Sequence, residues 1–348
     1  MTNGSARGWI AAACRHMIGR LVSTALFSAI CGSCMGAPGQ DQAYHVDLAA
    51  RAVMQLPAPP AQRFQARDGA ELAYRFFVPA AASGQQNVVA ILVHGSGGSS
   101  LNMTVLGEAL ARSGVAAFAP DVRGQGLSGR PGDIDYIGQL EHDFADFVAV
   151  VRRKYPTAHL VLVGHSVGGG FALRIAGGPQ GSEFSKFVLL APVLGRLAPT
   201  NRPANGWASP HIARIVALRA LNLAGVTRFN GATSVTFSLP PDAQSIGMTP
   251  SWTYRMMNNF GPSGQLQLFG RPQYLVDAEH APAPIDVIVG SADEQFFADK
   301  YVAAFAGLQR PVSVQLADGV NHMGVVSDPR AVGLIVSTVR PPEPALSN

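Results

Sequence analysis

The 348-residue chain predicts an α/β fold: a mostly parallel, twisted sheet with helices on both faces and a cap inserted between core strands. Three observations carry this prediction. Continuous apolar runs of strand length alternate with segments of helical spacing, as in a parallel sheet that is covered on both faces. Apolar residues make up 47% of the chain and charged residues 14%, so a large core is expected rather than disorder. A long stretch between two of the apolar runs breaks the alternation.

The predicted elements follow one another from residue 63 onward. Strands at 63–66 and 72–78 flank Asp68-Gly69, a dipeptide typical of tight hairpin turns. Further strands are predicted over 88–93, 115–119, 160–163, 187–191, 285–289 and 312–316. Helices are predicted over 101–112, 137–155, 167–176, 296–305 and 329–339.

The remaining segments define the domain organisation. Residues 1–36 contain basic residues, then an uncharged apolar run that ends in small residues, which is the pattern of a secretory signal peptide or N-terminal anchor. We therefore expect a periplasmic, secreted or membrane-associated protein, with any membrane association made by this segment. Residues 37–62 are interpreted as a linker and 341–348 as a flexible tail. The folded domain spans 63–340, and 195–284 within it is interpreted as a partly helical cap.

The distribution of charge argues against nucleic acid as a partner. Arg7, Arg15 and Arg20 lie in the first 36 residues, where no acidic residue stands, and they carry most of the net charge of +4. The folded domain is therefore nearly neutral and has no basic stripe. All three cysteines also lie in that first segment, so the domain offers no thiolate to a metal. We expect no metal ion and no cofactor.

The candidate nucleophile is Ser166, at the centre of Gly164-His165-Ser166-Val167-Gly168. This G-x-S-x-G pentapeptide follows a predicted strand and precedes a predicted helix, which is the setting of a nucleophile elbow. The small flanking residues permit a tight, strained turn that lifts the serine hydroxyl clear of the backbone. Ser166 is the only serine in the chain with glycine two positions before and two positions after it.

A serine hydroxyl at neutral pH needs a general base and a group that orients the base. Asp293 follows the predicted strand 285–289, and His322 follows the predicted strand 312–316. Both loops open at the same edge of a parallel sheet as Ser166. We expect His322 to accept the Ser166 proton and Asp293 to fix the imidazole tautomer.

Alternatives stay open for these roles. Glu294 adjoins Asp293 and is a second candidate acid, whereas Asp286 lies within a predicted strand and Asp318 is interpreted as a cap of its loop. His94 and His165 are near the site in sequence. We expect these two histidines to pack or hydrogen-bond beneath the loops.

Two backbone N–H groups are expected to form an oxyanion hole. Val167 supplies one at the start of the helix, and Ser96 supplies the other from the glycine-rich loop 94–98, with Gly97 as the alternative. A second glycine motif, 124–129, fits the G-x-G-x-x-G of dinucleotide sites. Loop residues follow it instead of a helix, so we expect no nucleotide there.

Three motifs, at 94–97, 121–128 and 164–169, together resemble the monoacylglycerol lipase, lysophospholipase and serine aminopeptidase group of the α/β-hydrolase superfamily. The resemblance implies a serine hydrolase whose partner is a small acyl ester, a lipid included. It also implies that the Asp-x-Arg-Gly-x-Gly-x-Ser loop shapes the site. Here we interpret Asp121 and Arg123 as an ion pair that holds this loop.

The leading hypothesis is hydrolysis of carboxylic acyl esters through an acyl-enzyme on Ser166, because the insertion offers apolar surface for an acyl chain. Cleavage of an amide, peptide or thioester bond, or acyl transfer, is the alternative, since the same three residues serve all of them. A peptidase would present acidic residues to the substrate amine, and Asp277 and Glu279 are the candidates in the insertion. A non-catalytic binding protein is disfavoured because no member of the set is missing.

Overall fold

The computed structural model describes residues 56–80, 87–203, 207–239, 248–264 and 270–340. The predicted signal peptide or anchor, most of the predicted linker and the tail lie outside the described residues. Within the described ranges, no helix is both long and apolar enough to cross a membrane.

The described strands form two sheets. In chain order they are β1 (Gln62–Gln65), β2 (Glu71–Phe77), β3 (Val88–Val93), β4 (Ala116–Pro120), β5 (His159–His165), β6 (Phe184–Leu190), β7 (Ala208–Pro210), β8 (Thr233–Phe237), β9 (Ser251–Thr253), β10 (Ile285–Gly290) and β11 (Ser313–Ala317). The central sheet has eight strands in the order β1-β2-β4-β3-β5-β6-β10-β11. β2 pairs antiparallel with β1 and β4, and all other neighbours in this sheet are parallel.

Helices connect these strands on both faces of the sheet. The described α-helices are α1 (Thr104–Arg112), α2 (Gln139–Lys154), α3 (Val167–Gly177), α4 (Ile212–Leu223), α5 (Tyr254–Asn259), α6 (Gln273–His280), α7 (Tyr301–Ala304) and α8 (Pro329–Val339). Short 3₁₀ turns over Ser100–Met103 and Ala298–Lys300 precede α1 and α7. The predicted helices 101–112 and 296–305 therefore begin as tighter turns.

The core lies on both faces of the central sheet. All six residues of β3 are buried, and their side chains alternate between two apolar clusters. Val89, Ile91 and Val93 belong to the cluster that α2, α3 and α6 cover, and the other residues of β3 belong to the cluster that α1 and α8 cover. A strand buried on both sides must be apolar throughout, as this sequence is. The predicted fold class is confirmed.

The insertion between β6 and β10 contains a small antiparallel sheet, β7-β8-β9, where the sequence predicted partly helical structure. Its strands have three to five residues, too few for a period of two to stand out. β7 is an edge strand and contains Pro210, which weakens a strand signal further. The last helix of the insertion, α6, lies against α3: a Cβ built on Gly177 would lie 2.5 Å from the Cα of Asp277. This helix therefore belongs to the layer on the sheet's face.

Candidate active site

Ser166 stands at the junction of β5 and α3 with a backbone φ of 56° and ψ of −119°. A non-glycine residue rarely adopts a positive φ, so this turn is strained. The backbone passes so close to itself that side chains are excluded on either side of the serine. A Cβ on Gly164 would lie 2.2 Å from the Gly168 oxygen, and a Cβ on Gly168 would lie 2.3 Å from the His94 oxygen. The two glycines of the motif are required by these approaches.

Hydrogen bonds hold the strained turn in place. The Ser166 N–H donates to the Leu190 oxygen at 2.8 Å, at the end of β6. The Ser166 carbonyl accepts from the N–H groups of Gly170 at 3.1 Å and Val193 at 3.0 Å. Hydrogen bonds from α3 and from the segment at the end of β6 thus stabilise the strained turn and hold the Ser166 side chain in one orientation.

His322 and Asp293 meet as predicted at the same edge of the sheet. His322 Nδ1 lies 2.8 Å from Asp293 Oδ2, and both side chains are buried. Asp293 Oδ1 accepts the backbone N–H groups of Gln295 at 2.7 Å and Phe296 at 2.8 Å. A carboxylate that only accepts requires the proton on His322 Nδ1. Nε2 is then the unprotonated nitrogen, and His322 and Ser166 line one cavity.

The surroundings keep Asp293 ionised. Burial alone would raise the pKa of its carboxyl group, but His322 and the two backbone donors outweigh burial and hold the pKa below the ordinary value. The negative charge of Asp293 would stabilise the positive charge that forms on the ring when it takes a proton from Ser166.

The alternative acids have other contacts. Glu294 accepts the backbone N–H of His322 at 3.0 Å, so it positions the main chain of the histidine rather than its ring. Asp318 accepts a hydrogen bond from the Ser291 hydroxyl at 3.1 Å. Asp286 lies in β10, 3.5 Å from Lys186.

His94 and His165 lie beneath the loops of the site. The Val122 N–H donates to His94 Nε2 at 3.2 Å, so the proton of that ring is on Nδ1, which lies 2.8 Å from the Gly95 oxygen. His165 Nε2 lies 3.0 Å from the His322 oxygen. Burial lowers the pKa of both rings, that of His165 to about 3 with a contribution from His322. Both rings are therefore neutral and serve as fixed hydrogen-bonding supports.

The two predicted oxyanion donors lie at the cavity beside Ser166. Val167 is the first residue of α3, so its N–H has no carbonyl partner within the helix. Ser96 lines the same cavity, together with Gly95 and Gly98. Gly95 comes close to the nucleophile, since a Cβ added there would lie 3.3 Å from the Ser166 Cβ. The alternative donor, Gly97, adopts a φ of 68°, and its carbonyl accepts the Thr249 N–H.

The cavity above Ser166 has a volume of about 560 Å³, within the range of small-molecule sites. Central-domain loops form its floor, and the insertion forms its walls. The walls are largely apolar and aromatic, formed by Trp207, Ile212, Ile215, Val235, Phe237, Met248, Trp252 and Met257. The arrangement offers an apolar chamber that opens directly on the serine hydroxyl and the imidazole.

The predicted ion pair between Asp121 and Arg123 is wrong. Arg123 instead binds Asp143 of α2 through two hydrogen bonds of 2.7 Å and lies 3.0 Å from Asp68. Asp121 accepts the backbone N–H groups of Ser100 at 2.6 Å and Leu127 at 2.9 Å. The two residues still hold the loop, but each does so through a different partner. The glycine motif 124–129 within this loop folds as turns.

The insertion is bonded to two loops of the central domain along a contact that we call the seam. The Thr249 N–H donates to the Gly97 oxygen at 3.0 Å, and the Thr253 N–H donates to the Gly132 oxygen at 2.9 Å. Arg255 binds Asp133 through two hydrogen bonds of 2.7 and 3.1 Å. The seam therefore fixes the walls of the cavity to the loop that carries the predicted oxyanion donor.

One supporting residue gave no signal in the sequence. Arg202 Nε lies 3.1 Å from the Asp293 oxygen and 3.0 Å from the Phe296 oxygen, so it ties the insertion to the loop of the acid. Arg202 is separated from Asp293 by 91 positions. Glu294, a candidate acid on sequence grounds, is a second supporting residue, because it accepts the backbone N–H of His322.

Asp277 and Glu279 lie elsewhere. Asp277 is buried beneath α3, and Glu279 forms an ion pair with Arg271. Neither is among the residues that line the cavity above Ser166.

The eight-stranded sheet and the strained serine turn define the protein's class, the α/β-hydrolase fold. Residues 84–257 match the family model described as serine aminopeptidase, S33, which spans half of the chain. The chain therefore belongs to the S33 serine aminopeptidase family. This membership confirms the resemblance drawn from the three sequence motifs.

Relatives and a solved structure agree with this assignment. The chain is 28% identical to the monoglyceride lipase of Rattus norvegicus over 36% of its own length and 41% of the rat protein. It is 27% identical to the monoacylglycerol lipase of Mycolicibacterium smegmatis over 32% of its own length and 46% of that protein. The matched region thus spans less than half the length of these curated relatives. A soluble variant of Saccharomyces cerevisiae monoglyceride lipase, solved with a substrate analogue, shares the fold, with a TM-score of 0.56, 18% identity, and coverage of 82% of this chain and 96% of that one.

Proposed function

We propose that this protein is a serine hydrolase that cleaves carboxylic acyl esters, with Ser166, His322 and Asp293 as its catalytic triad. The proposal rests on the arrangement of these three residues. A serine on a strained elbow shares an apolar cavity with an imidazole whose other nitrogen lies 2.8 Å from a buried carboxylate. Family membership and the resemblance to two monoacylglycerol lipases support the ester bond as the target.

The proposed reaction follows from the positions of these groups. The Ser166 oxygen attacks the ester carbonyl while His322 Nε2 takes its proton, and the tetrahedral oxyanion is held by the N–H groups of Val167 and Ser96. His322 then returns the proton to the departing alcohol as the ester bond breaks. Water, activated by the same imidazole, hydrolyses the acyl-enzyme and releases the acid. One oxyanion donor typically contributes about 3 kcal/mol to lowering the barrier.

The cavity favours an acyl chain over a peptide. Its walls are aromatic and aliphatic, which suits a hydrocarbon chain of a lipid such as a monoacylglycerol or lysophospholipid. An aminopeptidase would need a carboxylate to bind the substrate's free amine. The described lining of the cavity contains no Asp or Glu, and the two candidates from the insertion lie outside it.

The test is hydrolysis of p-nitrophenyl esters of increasing chain length by the wild type and by Ser166→Ala. A fluorophosphonate probe should label the wild type, whereas the variant should be neither labelled nor active. A matched control is Ser185→Ala, since Ser185 lies at the start of β6 and bonds the Leu160 oxygen. A wild type that is not labelled and turns over no ester of any length would refute the proposal.

We also propose that residues 1–36 direct the protein out of the cytoplasm, either as a cleaved signal peptide or as an anchor. The basic start and the apolar run support this proposal. Expression in a bacterial host, fractionation and N-terminal sequencing of the mature chain would test it. A protein that keeps its first residue and stays in the cytoplasmic fraction would contradict it.

A further inference from the structure

Two arginines stand at one part of the cavity wall. Arg196 and Arg202 lie at the start of the insertion, a few residues after β6, and both are exposed at the cavity's rim. Apart from the histidines, they are the charged side chains among the described residues that line the cavity. No described Asp or Glu lines it. This part of the site is therefore positively charged, in contrast to the nearly neutral domain around it.

The segment with the two arginines is held in position. The Asn201 side-chain amide donates to the Gly195 oxygen at 2.8 Å and to the Arg196 oxygen at 2.7 Å, which closes the segment into a compact turn. Asn201 also forms an isolated β-bridge with Phe296. The backbone that carries both arginines is thus ordered before any ligand arrives, which lowers the entropic cost of binding.

Arg202 places the positive charge on the histidine side of the cavity. Its Nε bonds the carbonyls of Asp293 and Phe296, and the Phe296 ring lies 5.3 Å from the His322 ring. The guanidinium carbon lies 4.3 Å from the centre of the Phe297 ring. The two hydrogen bonds of Nε and the stacking on Phe297 fix the orientation of the Arg202 guanidinium. Its two terminal nitrogens have no hydrogen-bond partner among the described residues. The guanidinium of Arg196 also has no hydrogen-bond partner among the described residues.

The direction of proton transfer determines which part of an ester substrate would lie near these arginines. His322 returns its proton to the oxygen of the departing alcohol, so the alcohol must lie on the histidine side of the cavity. The acyl chain then occupies the aromatic chamber. A group on the alcohol, a few bonds from the ester oxygen, would reach the rim where the arginines stand. Arginine pairs strongly with phosphate and carboxylate, because its planar fork matches their two oxygens.

Resting on the proposed function, we infer that the substrate is an acyl ester whose alcohol carries a negative charge, and that Arg196 and Arg202 select it. In the reaction the Ser166 oxygen forms a bond to the acyl carbon, the bond from that carbon to the alcohol oxygen breaks, and the serine proton leaves on the anionic alcohol. Water then cleaves the acyl-enzyme and restores the serine hydroxyl. A neutral glycerol ester fits the same chamber but leaves the two charges unmatched.

The experiment compares three octanoyl esters below the concentration at which they form micelles. The alcohols are glycerol, glycerol phosphate and a hydroxycarboxylate, so the neutral ester is matched by a phosphate and by a carboxylate. In low salt, the wild type should show a kcat/KM about tenfold higher for an anionic ester than for the neutral one. The preference should shrink as salt is added. A gain with either anion supports the inference, and the pattern identifies which anion is recognised.

Variants assign the preference to the arginines. Arg196→Gln should lower the ratio of anionic to neutral kcat/KM by about fivefold, and Arg202→Gln by a similar factor. The ratio is the readout because loss of Arg202 also disturbs the loop of Asp293, which lowers the rate for every ester. Arg219→Gln is the matched control, because Arg219 is exposed on α4 and does not line the cavity. It removes the same charge and should keep the wild-type ratio.

Two different failures are distinguishable. If the wild type hydrolyses the neutral ester at least as well as both anionic ones, or if the double arginine variant keeps the wild-type ratio, the inference is overturned while ester hydrolysis stands. If no ester is turned over and Ser166 is not labelled by a fluorophosphonate, the proposed function fails and the inference fails with it.

Discussion

Replacing Asp293 by asparagine would test the catalytic assignment with almost no change in shape. The carboxylate makes three hydrogen bonds, and two of them are to backbone N–H groups that both donate to Oδ1, at 2.7 and 2.8 Å. An asparagine must therefore place its carbonyl oxygen at that position. Its NH₂ group then takes the place of Oδ2, 2.8 Å from His322 Nδ1.

A donor facing His322 Nδ1 reverses the tautomer of the ring. Nδ1 must lose its proton to accept from the amide, and the proton moves to Nε2, the atom that should receive the Ser166 proton. In the Ser-His-Asp triad of proteases, this kind of change lowers kcat by about 10⁴. We expect a loss of the same order for Asp293→Asn, equivalent to ~5.4 kcal/mol in activation free energy. KM should change little, since Asp293 is buried behind the ring.

The assay is steady-state hydrolysis of p-nitrophenyl butyrate, with far-ultraviolet circular dichroism to verify the fold. Asp286→Asn is the matched control, because Asp286 lies in β10, the strand that precedes the Asp293 loop, and pairs with Lys186 instead of the histidine. It should keep the wild-type rate within about twofold. If Asp293→Asn stays within about tenfold of wild type while Glu294→Gln loses its activity, the acid is Glu294 and the reasoning is refuted.

Three further outcomes concern stability and pH. Gly168→Ala should lower the free energy of unfolding by about 3 kcal/mol in urea denaturation, because its Cβ would lie 2.3 Å from a backbone oxygen. Gly333→Ala, in α8 with no atom within 4 Å of the new Cβ, should instead stabilise by about 0.5–1 kcal/mol, and equal effects would contradict the packing argument. Arg123→Ala should cost about 3–5 kcal/mol because it leaves a buried carboxylate unpaired, whereas Arg67→Ala, which breaks an exposed pair, should cost at most about 1 kcal/mol in the same assay. The pKa of Asp293 is lowered on folding, so its stabilising contribution is complete above its ordinary pKa of about 3.9 and is lost as the pH falls through the folded-state pKa. Urea titrations between about pH 5 and pH 2 should therefore show a shallower loss of stability for Asp293→Asn, and parallel curves would count against this contribution.

The parts of the site that depend on short sequence motifs and on strand ends could be predicted from the sequence. The elbow is set by two glycines that flank one serine, and the strand and helix beside it are strongly apolar. Asp293 and His322 could be placed because each lies in the loop that follows a strand, and parallel strands bring their carboxyl ends to one edge. Periodicity and chain direction were sufficient for these positions.

Contacts between distant segments could not be predicted. The interpretation of Asp121 and Arg123 as a pair failed because Asp121 satisfies two backbone N–H groups, while the partners of Arg123 lie on α2 and in the β1–β2 turn. Arg202 bonds the loop of the acid although the two residues are 91 positions apart in the sequence. The strands β7 to β9 were missed because their pairing, rather than their composition, makes them strands. These features depend on tertiary structure, and a single sequence carries no pattern for them.

The seam between the insertion and the central domain bears on how new specificities can arise on this scaffold. A Cβ on Gly132 would lie 1.9 Å from the Ser251 oxygen, so even one methyl group would push the two surfaces apart. The Thr249 bond to Gly97 would pass such a displacement to the loop that carries Ser96. The insertion therefore cannot be exchanged as a detachable module. A chimera that imports another protein's substrate chamber would have to import the facing loops 94–98 and 121–135 with it, or lose its catalytic geometry.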